Sequence, residues 1–452
     1  MVNKTRILLV AAPSFYRAAT GEAETPASPG QSSRFGDVLM GDQDHEPTHA
    51  IFYLKSFIES HSNLEVRTLD LNIEHYVAAR NGQTLDQFKI LASSIDAFEP
   101  DLVGISSMRP NLSEARIVAS QVRSHAPSIE IVLGGPCTSD HHIHNLPEFD
   151  YVEPSQTMLV AAKNLIDRAS RGAANLVANK PHYMPDYSDL GEMPDVIPRF
   201  FHSVGCGAGC DFCYPAAIRN FKIESRADQT LATQIINQVG RMQPDFWLFG
   251  DLTLHLASPQ VQAILSDLAN QPIPPWWCQT QARYLNKSTS AKLANAGCRQ
   301  VAFAVEDLET HNTAIRRKNA GLEQTVASLD ALAEHGISRQ LYWCFGLPDD
   351  THDAAANRVE DIRFLIERNL VDSIHLSYFM PYPGTPYGDR PADYGITLER
   401  SFEQHYADAQ SDFYNPLPMH SVAGLTSMEI KQYFDNARQL SRSLKPSLIG
   451  NT

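Results

Sequence analysis

The chain has 452 residues, of which 43% are hydrophobic and 20% charged, and its formal net charge is -15. An acidic chain has no general attraction for a phosphate backbone or an anionic membrane, so nucleic acid is disfavoured as a partner. The apolar run at residues 7–12 is too short to cross a membrane. We therefore expect a cytoplasmic protein without a membrane span.

Short β-branched runs alternate with amphipathic segments through the first third of the chain. The predicted strands are 6–11, 65–71, 101–106 and 130–134, and the clearest helices are 49–60 and 112–125. This alternation predicts an α/β domain at residues 1–185 with a doubly wound parallel sheet and a ligand site at the carboxyl ends of its strands. The loop from Pro13 to Pro47 is rich in Gly and Pro, which indicates either a lid or a mobile spacer.

A Pro-rich stretch at 180–197 separates this domain from a second strand–helix series. Its predicted strands are 200–204, 245–249, 276–279, 300–305, 340–345 and 372–378, and its predicted helices are 229–242, 259–270, 288–296, 321–335 and 353–368. The series predicts a partial (β/α)6 barrel at 195–390, with its chemistry at the carboxyl ends of the strands. A short helical C-terminal region, 391–452, is expected to contain a helix at 427–444.

Three of the seven cysteines, Cys206, Cys210 and Cys213, directly follow the first predicted barrel strand. Three thiolates at this spacing can each bind one iron of a [4Fe–4S] cluster and leave the fourth iron open to a small molecule. A zinc site would need a fourth ligand, for which His202 and His255 are candidates, and an electron-carrier cluster normally has a fourth cysteine. The remaining cysteines, 137, 278, 298 and 344, are interpreted as buried structural thiols.

The Cys-x3-Cys-x2-Cys spacing and several later segments resemble the radical SAM superfamily. These segments, in order, are Phe249-Gly250-Asp251, Trp277-Cys-Gln-Thr280, Val301-Ala-Phe-Ala-Val-Glu306, Phe345-Gly-Leu-Pro348 and Pro381-Tyr-Pro-Gly-Thr-Pro386. The resemblance implies that a [4Fe–4S] cluster on the three cysteines cleaves S-adenosylmethionine (SAM) to methionine and a 5′-deoxyadenosyl radical. The electron donor would be a protein such as flavodoxin or ferredoxin.

The same resemblance implies a set of SAM contacts at the strand ends. They are Tyr214, Gly250, Asp251, Gln279, Glu306 and Gly346. The residues alone leave other interpretations open, since Gln279 could be a satisfied core amide, Glu306 a structural ion pair, and Gly250-Asp251 a simple turn.

The first domain resembles the cobalamin-binding domain that precedes the radical SAM core in one subclass. The resemblance rests on segments 7–13, 69–71, 100–107 and 132–136, and it implies cobalamin contacts from Pro13, Ser14, Ser106, Ser107, Gly134, Gly135, Pro136 and Cys137. Cys137 stands where the family usually has His, and the Asp-x-His-x-x-Gly pattern is absent after Pro13. We therefore expect no histidine below the cobalt, and a domain that holds no corrinoid is the alternative.

Members with both domains most often methylate an unactivated carbon or phosphorus, using one SAM as methyl donor and a second as radical source. The resemblance thus implies methylation of a small-molecule or peptide substrate. The alternative enzyme is one that catalyses radical rearrangement, cyclisation or ring contraction without methyl transfer. A non-enzymatic corrinoid or cluster carrier would not need the ordered SAM segments. An RNA methylthiotransferase fits less well, because the chain is acidic and lacks an N-terminal cysteine set.

Overall fold

The computed structural model describes most of the chain, in segments separated by gaps. The described residues are 5–13, 34–35, 38–39, 47–81, 83–108, 111–139, 143, 146–154, 158–170, 184–191, 193, 196–210, 212–213, 223–225, 230–306, 308, 320–402, 404–405 and 417–444. The chain divides into two compact units, one of Met1–Pro29 with His45–Val196 and one of Gly30–Asp44 with Ile197–Thr452. Most of the loop predicted as a lid or spacer lies outside the described residues.

The first unit is built on a parallel sheet. Its strands are β1 (Arg6–Ala11), β2 (Glu65–Asp70), β3 (Leu102–Ser106), β4 (Glu130–Gly134) and β5 (Tyr151–Val152). The spatial order is β2-β1-β3-β4-β5, and every neighbouring pair is parallel. The order reverses between β1 and β3, and ligands of doubly wound sheets bind beside such a switch point. The predicted doubly wound sheet is therefore confirmed.

In the part of the first unit that the structure describes, five helices follow strands in the chain. They are α1 (His49–His61), α2 (Leu71–Arg80), α3 (Gln87–Phe98), α4 (Leu112–His125) and α5 (Met158–Ala169). In α4 the buried side chains are Ala115, Val118, Ala119 and Val122, at the spacing of one helix face. They pack in one apolar core with alternate side chains of β1, β3 and β4, which fixes one face of the sheet against its helices.

The described residues of the second unit include a sheet of six parallel strands in consecutive order. They are β6 (Arg199–Phe200), β9 (Trp247–Phe249), β10 (Trp276–Gln279), β11 (Cys298–Ala304), β12 (Ser338–Phe345) and β13 (Ser373–Tyr378). The helices within its described residues are α6 (Leu231–Met242), α7 (Pro259–Leu268), α8 (Lys287–Asn295), α9 (Gly321–Ala333), α10 (His352–Glu367), the short α11 (Pro386–Asp389) and α12 (Ser427–Ser441). This alternation confirms the predicted partial barrel.

The two faces of the barrel strands differ in character. One face packs aromatic rings and meets helices: the Trp276 indole N–H donates to the Ala296 carbonyl after α8, and the Arg358 guanidinium of α10 lies over the Phe345 ring. Alternation along a strand turns the intervening side chains to the opposite, inner face. That face carries polar side chains, including Gln279 and Tyr342, towards the carboxyl ends.

One predicted strand, 200–204, is wrong in its extent. The structure divides it into β6 and a separate strand β7 (Ser203–Val204), which pairs antiparallel with β8 (Glu224–Ser225). The backbone N–H groups of His202 and Ser203 donate to the Asp251 carboxylate instead of to a neighbouring strand. A side chain 48 residues away therefore ends the pairing, and no local pattern indicates it.

The C-terminal region contains the predicted helix, as α12, and an unpredicted hairpin. Its strands β14 (Ile396–Leu398) and β15 (His420–Val422) pair antiparallel, although they lie far apart in the chain. The Phe434 ring of α12 packs against the Tyr378 ring at the end of β13, with the ring centroids 4.2 Å apart and the planes tilted by 32°. Among the described residues, no helix has the length and apolar character needed to cross a membrane.

Candidate functional site

Cys206, Cys210 and Cys213 lie in one loop, called here the cysteine loop, which follows β7 at the carboxyl end of the barrel. Cys206 and Cys210 are buried and Cys213 is half-buried, and the Cys213 N–H donates to the Cys210 carbonyl at 3.0 Å. Gly205 and Gly209 have φ of 96° and 69°, a backbone conformation that favours glycine and lets the loop curl. Tyr214, the predicted SAM contact next to Cys213, lies outside the described residues.

Asp251 holds the segment that leads into this loop. Its side chain is 1% exposed, and its carboxylate accepts hydrogen bonds from the His202 and Ser203 N–H groups at 2.9 and 2.6 Å and from the Ser203 hydroxyl at 2.6 Å. A buried carboxylate with several donors is strongly tied to them. Asp251 is thus a structural anchor of the cysteine loop, and its contact with SAM stays a prediction.

Gly250 leaves room for the strand beside it. A Cβ atom at this position would lie 2.5 Å from Arg199 Cδ and 2.5 Å from Phe201 Cζ. Only glycine therefore lets β9 end against β6 with these side chains in place. This packing alone is a sufficient reason for glycine at position 250, independent of any contact with SAM.

Gln279 and Tyr342 meet on the inner face of the barrel. The Gln279 amide Nε2 donates to the Tyr342 hydroxyl at 3.2 Å, and the Tyr342 ring lies edge-on to His375 at 5.4 Å. The three side chains are half-buried and come from β10, β12 and β13. They form a polar surface that a hydrogen-bonding ligand can contact.

Glu306 lies two residues after the end of β11, and its backbone is in a left-handed conformation. Its φ is 60°, which costs a non-glycine residue roughly 1–2 kcal/mol, and it is 5% exposed. Strained residues of this kind concentrate at functional sites. Burial and then the Glu306 charge raise the pKa of the Cys344 thiol, so this carboxylate and thiol share one end of the barrel.

Gly346 forms a turn at the end of β12. Its N–H donates to Asp350 at 3.1 Å, and its carbonyl accepts from His420 Nε2 at 2.8 Å. Asp350 is in turn held by two hydrogen bonds from Arg358, and both side chains are 1% exposed. The Asp350–Arg358 ion pair and the hydrogen bond from His420 therefore fix this turn, and a SAM contact at Gly346 remains a prediction.

Two polar residues near the cysteines were missed by the sequence analysis. The Thr253 hydroxyl lies 3.5 Å from Cys206 Sγ, and Gln281 Nε2 donates to the same hydroxyl at 3.3 Å. Thr253 comes two residues after Asp251, so its proximity to a conspicuous motif was the available signal. Gln281 lies two residues beyond Gln279, so the same signal was available for it.

The other four cysteines are all buried, as predicted. A hydrogen bond with Cys298 and burial raise the pKa of Cys278 well above its ordinary range. Such thiols stay protonated and are poor metal ligands. The thiols of the cysteine loop are therefore better candidates for metal ligands than Cys278 in this unit.

The donors of the cysteine loop fit an iron–sulfur cube. Among the described residues, no three His, Cys, Asp or Glu side chains are arranged to hold one metal ion. A cube does not require that arrangement, because each thiolate binds a different iron. Three thiols in one short loop supply three such ligands and leave one iron for another molecule.

In the first unit, most of the predicted cobalamin contacts lie together at one edge of the sheet. Pro13, Ser106 and Gly134 follow or end β1, β3 and β4, and the Ser107 N–H donates to the Gly134 carbonyl at 3.0 Å. Ser107 and Cys137 are buried, at 2% and 1% exposure, while Pro136 is exposed. Ser14 lies outside the described residues.

The two glycines of this edge have different roles. Gly135 has a φ of 97°, and a Cβ there would lie 2.3 Å from the Ser107 carbonyl oxygen, so this position is closed to side chains. A Cβ on Gly134 would meet nothing within 4 Å. Open space beside a strand end is what a flat macrocycle needs to approach the backbone, so this edge fits a corrinoid.

Asn72 and Asn111 fix the start of the first loop and were also missed. Asn111 Nδ2 donates to the carbonyls of Ala12 and Pro13, both at 3.0 Å, and Asn72 Nδ2 donates to Ala12 at 3.2 Å. Asparagine side chains that bind backbone groups favour such turns. They hold Pro13 at the switch point between β1 and β3.

Two family models match the chain in the order of its domains. The model described as a B12 binding domain matches residues 43–163. The model described as the radical SAM superfamily matches residues 200–362. The first covers β2 to β5, and the second begins at the end of β6, just before the cysteine loop.

Known proteins with related sequence or fold agree with these matches. An uncharacterized methyltransferase of Pyrococcus horikoshii is 21% identical over 69% of this chain and 74% of its own length. The radical SAM methyltransferase TsrM from Kitasatospora setae, solved with cobalamin and a [4Fe–4S] cluster, has a TM-score of 0.65 at 14% identity, over 98% of this chain and 89% of its own. The cobalamin-dependent radical SAM enzyme OxsB, solved with aqua-cobalamin and SAM, has a TM-score of 0.55 at 12% identity, over 91% of this chain and 56% of its own. The chain therefore contains a B12 binding domain at residues 43–163, followed by a radical SAM domain at residues 200–362.

Proposed function

We propose that the protein is a cobalamin-dependent radical SAM methyltransferase that methylates an unactivated carbon, or phosphorus, of a small-molecule or peptide substrate. Cys206, Cys210 and Cys213 would hold the [4Fe–4S] cluster, and the edge formed by β1, β3 and β4 would hold cobalamin. The observation that carries the proposal is this combination in one chain: a three-thiol loop at the carboxyl end of a partial barrel, preceded by a B12 binding domain.

The cofactors supply reductive cleavage of SAM and transfer of a methyl group, and the protein supplies binding and orientation. In this chain Asp251 fixes the entry to the cysteine loop. Gln279, Tyr342 and Glu306 offer polar contacts at the ends of three strands, where SAM and substrate would lie. The electron would come from a low-potential protein donor such as flavodoxin or ferredoxin.

One structural relative and one sequence relative support methyl transfer over rearrangement. TsrM is described as a methyltransferase, and its solved complex contains tryptophan substrate and a SAM analogue. The Pyrococcus relative is also described as a methyltransferase. The acidic composition gives no support to a nucleic-acid substrate.

The test is anaerobic purification with cobalamin present, followed by quantification of iron, sulfide and corrinoid and by an assay of SAM products. We expect about four irons per chain, the content of one cube, and stoichiometric corrinoid. Turnover should yield S-adenosylhomocysteine together with 5′-deoxyadenosine. 5′-Deoxyadenosine without S-adenosylhomocysteine would replace methyl transfer with rearrangement, cyclisation or ring contraction.

Cysteine variants distinguish thiols that bind the cluster from thiols that only pack in the core. Cys206→Ala, Cys210→Ala and Cys213→Ala should each lose the iron and the SAM cleavage. Cys298→Ala removes a buried thiol of the same unit and should keep both. Full iron content in any of the three loop variants would contradict the assignment.

A further inference from the structure

The buried face of the cysteine loop contacts a short chain of hydrogen-bonding side chains. Thr253 Oγ1 lies 3.5 Å from Cys206 Sγ, and it also donates to the Leu252 carbonyl at 2.8 Å. Gln281 Nε2 donates to Thr253 Oγ1 at 3.3 Å. Thr253 and Gln281 are each 3% exposed, so water does not compete for these bonds.

The position of Thr253 is set by the strand beside it. The Leu254 N–H donates to the Gln279 carbonyl at 2.7 Å, and the Thr280 hydroxyl donates to the Leu254 carbonyl at 2.8 Å. These bonds attach the segment after β9 to the end of β10. The Thr253 hydroxyl is therefore held next to the sulfur by the sheet, and not by the cysteine loop itself.

Hydrogen-bond chemistry decides what the hydroxyl does when Cys206 binds iron. A hydroxyl has one proton to donate, and the Gln281 amide occupies an acceptor position on its oxygen. A neutral thiol is a weak acceptor, so the proton goes to the Leu252 carbonyl. An iron-bound thiolate has no proton and carries negative charge, so it is the stronger acceptor.

We propose that Thr253, oriented by Gln281, donates a hydrogen bond to the Cys206 thiolate and raises the reduction potential of the cluster. This inference rests on the proposed cluster site. Reduction adds an electron, part of whose charge lies on the sulfurs, so a donor to sulfur stabilises the reduced state more than the oxidised state. Thr253 and Gln281 are positioning residues, since neither replaces an iron ligand.

The experiment is an anaerobic redox titration of the reconstituted protein with dithionite and mediators, followed by the EPR signal of the reduced cluster. Thr253→Val keeps the shape and removes the hydroxyl, and we expect a more negative midpoint potential with unchanged iron and sulfide content. Thr253→Ser keeps the hydroxyl and should titrate like the wild type. Gln281→Leu should shift the potential in the same direction by a smaller amount.

Thr385→Val is the matched control. Thr385 is 1% exposed, and its hydroxyl donates to the Tyr382 carbonyl at 2.7 Å and not to a sulfur. The control should lose stability without a change in midpoint potential. Equal shifts in Thr253→Val and Thr385→Val would assign the effect to packing and overturn the proposal.

The outcomes separate this inference from the proposed function. A wild-type protein that assembles no cluster would overturn both. A wild-type cluster whose potential is unchanged by Thr253→Val would overturn only the role of Thr253. If Thr253→Val cannot hold iron, Gln281→Leu tests the proposal in its place. This variant leaves the Thr253 hydroxyl in position and changes only its orientation. An unshifted midpoint potential in Gln281→Leu would overturn the proposal.

Discussion

At the scale of single residues, Asp251 has the most specific structural role near the cysteines. Asp251→Asn leaves one acceptor oxygen and turns an N–H group towards the donors of His202 and Ser203. We expect the free energy of unfolding to fall by about 1–3 kcal/mol and the iron content to drop. The measurements are denaturant unfolding followed by tryptophan fluorescence, and iron analysis.

The fluorescence reports this unit alone, because all four tryptophans lie in it. Asp245→Asn is the control, since this exposed aspartate precedes the same strand. Wild-type stability and iron content in Asp251→Asn would show that the anchor is dispensable.

His420 gives the second residue-scale prediction, a dependence of stability on pH. Burial lowers the pKa of His420 below its ordinary value of 6.5, because a site that excludes water disfavours the charged ring; the hydrogen bond to the Gly346 carbonyl opposes this shift without cancelling it. The folded state thus binds this proton less well than the unfolded state. The contribution is fully present above about pH 6.5, decreases as the pH falls from there to the lower folded pKa, and is constant below it.

His420→Gln keeps an N–H donor for Gly346 and cannot titrate. We expect the variant to lose part of the decrease in stability between neutral and acidic pH, by about 1.4 kcal/mol for each unit of the pKa shift. Unfolding by denaturant at a series of pH values measures it. Identical pH dependence in the variant and the wild type would remove His420 as the source.

At the scale of elements, the turn after β12 depends on one buried ion pair. Arg358 of α10 and Asp350 are each 1% exposed and make two hydrogen bonds. Arg358→Met leaves a buried carboxylate without its cation, so we expect a loss of about 3–5 kcal/mol. Arg363→Met, which removes an exposed pair with Glu360 on the same helix, should cost at most about 1 kcal/mol. Similar losses in the two variants would contradict this difference.

The sequence was most informative where a whole element lies in one environment. The bounds of β1, β4, β10 and α4 were predicted to the residue, because continuous apolar runs and helical spacing are local signals. The early end of β6 was not predicted, because it depends on the Asp251 carboxylate, which is distant in the chain. The hairpin of β14 and β15 was missed for the same reason: its strands are short and their pairing is not local.

The candidate site shows the same division. The cysteines and the strand-end glycines stood out as residue types at a definite spacing. Thr253 and Cys206 are 47 residues apart in the chain, and Asn111 and Pro13 are 98 residues apart. Each pair is brought together by the pairing of strands in its sheet. Such contacts become visible only once the strands are assembled.

At the scale of the whole molecule, the candidate cluster and corrinoid residues belong to different compact units. We therefore expect the two cofactor contents to be lost separately. Gly134→Leu places a side chain in the open space beside β4 and should lower bound corrinoid at least tenfold, with iron unchanged. Cys210→Ala should lower the iron content and leave the bound corrinoid unchanged. Corrinoid absorbance and iron analysis on the same anaerobic samples measure both.

Gly134→Ala and Gly135→Ala determine whether a loss of corrinoid comes from blocking or from damage to the fold. Gly134→Ala adds a methyl group where nothing lies within 4 Å, so it should fold normally and bind more corrinoid than Gly134→Leu. Gly135→Ala forces a positive φ and a contact with Ser107, and should destabilise the first unit by about 1–3 kcal/mol. Hydrogen exchange of β3 and β4 would detect that damage. If Gly134→Leu loses protection there as Gly135→Ala does, the loss of corrinoid is a folding defect; if it keeps protection and still loses corrinoid, the edge of the sheet is the binding surface.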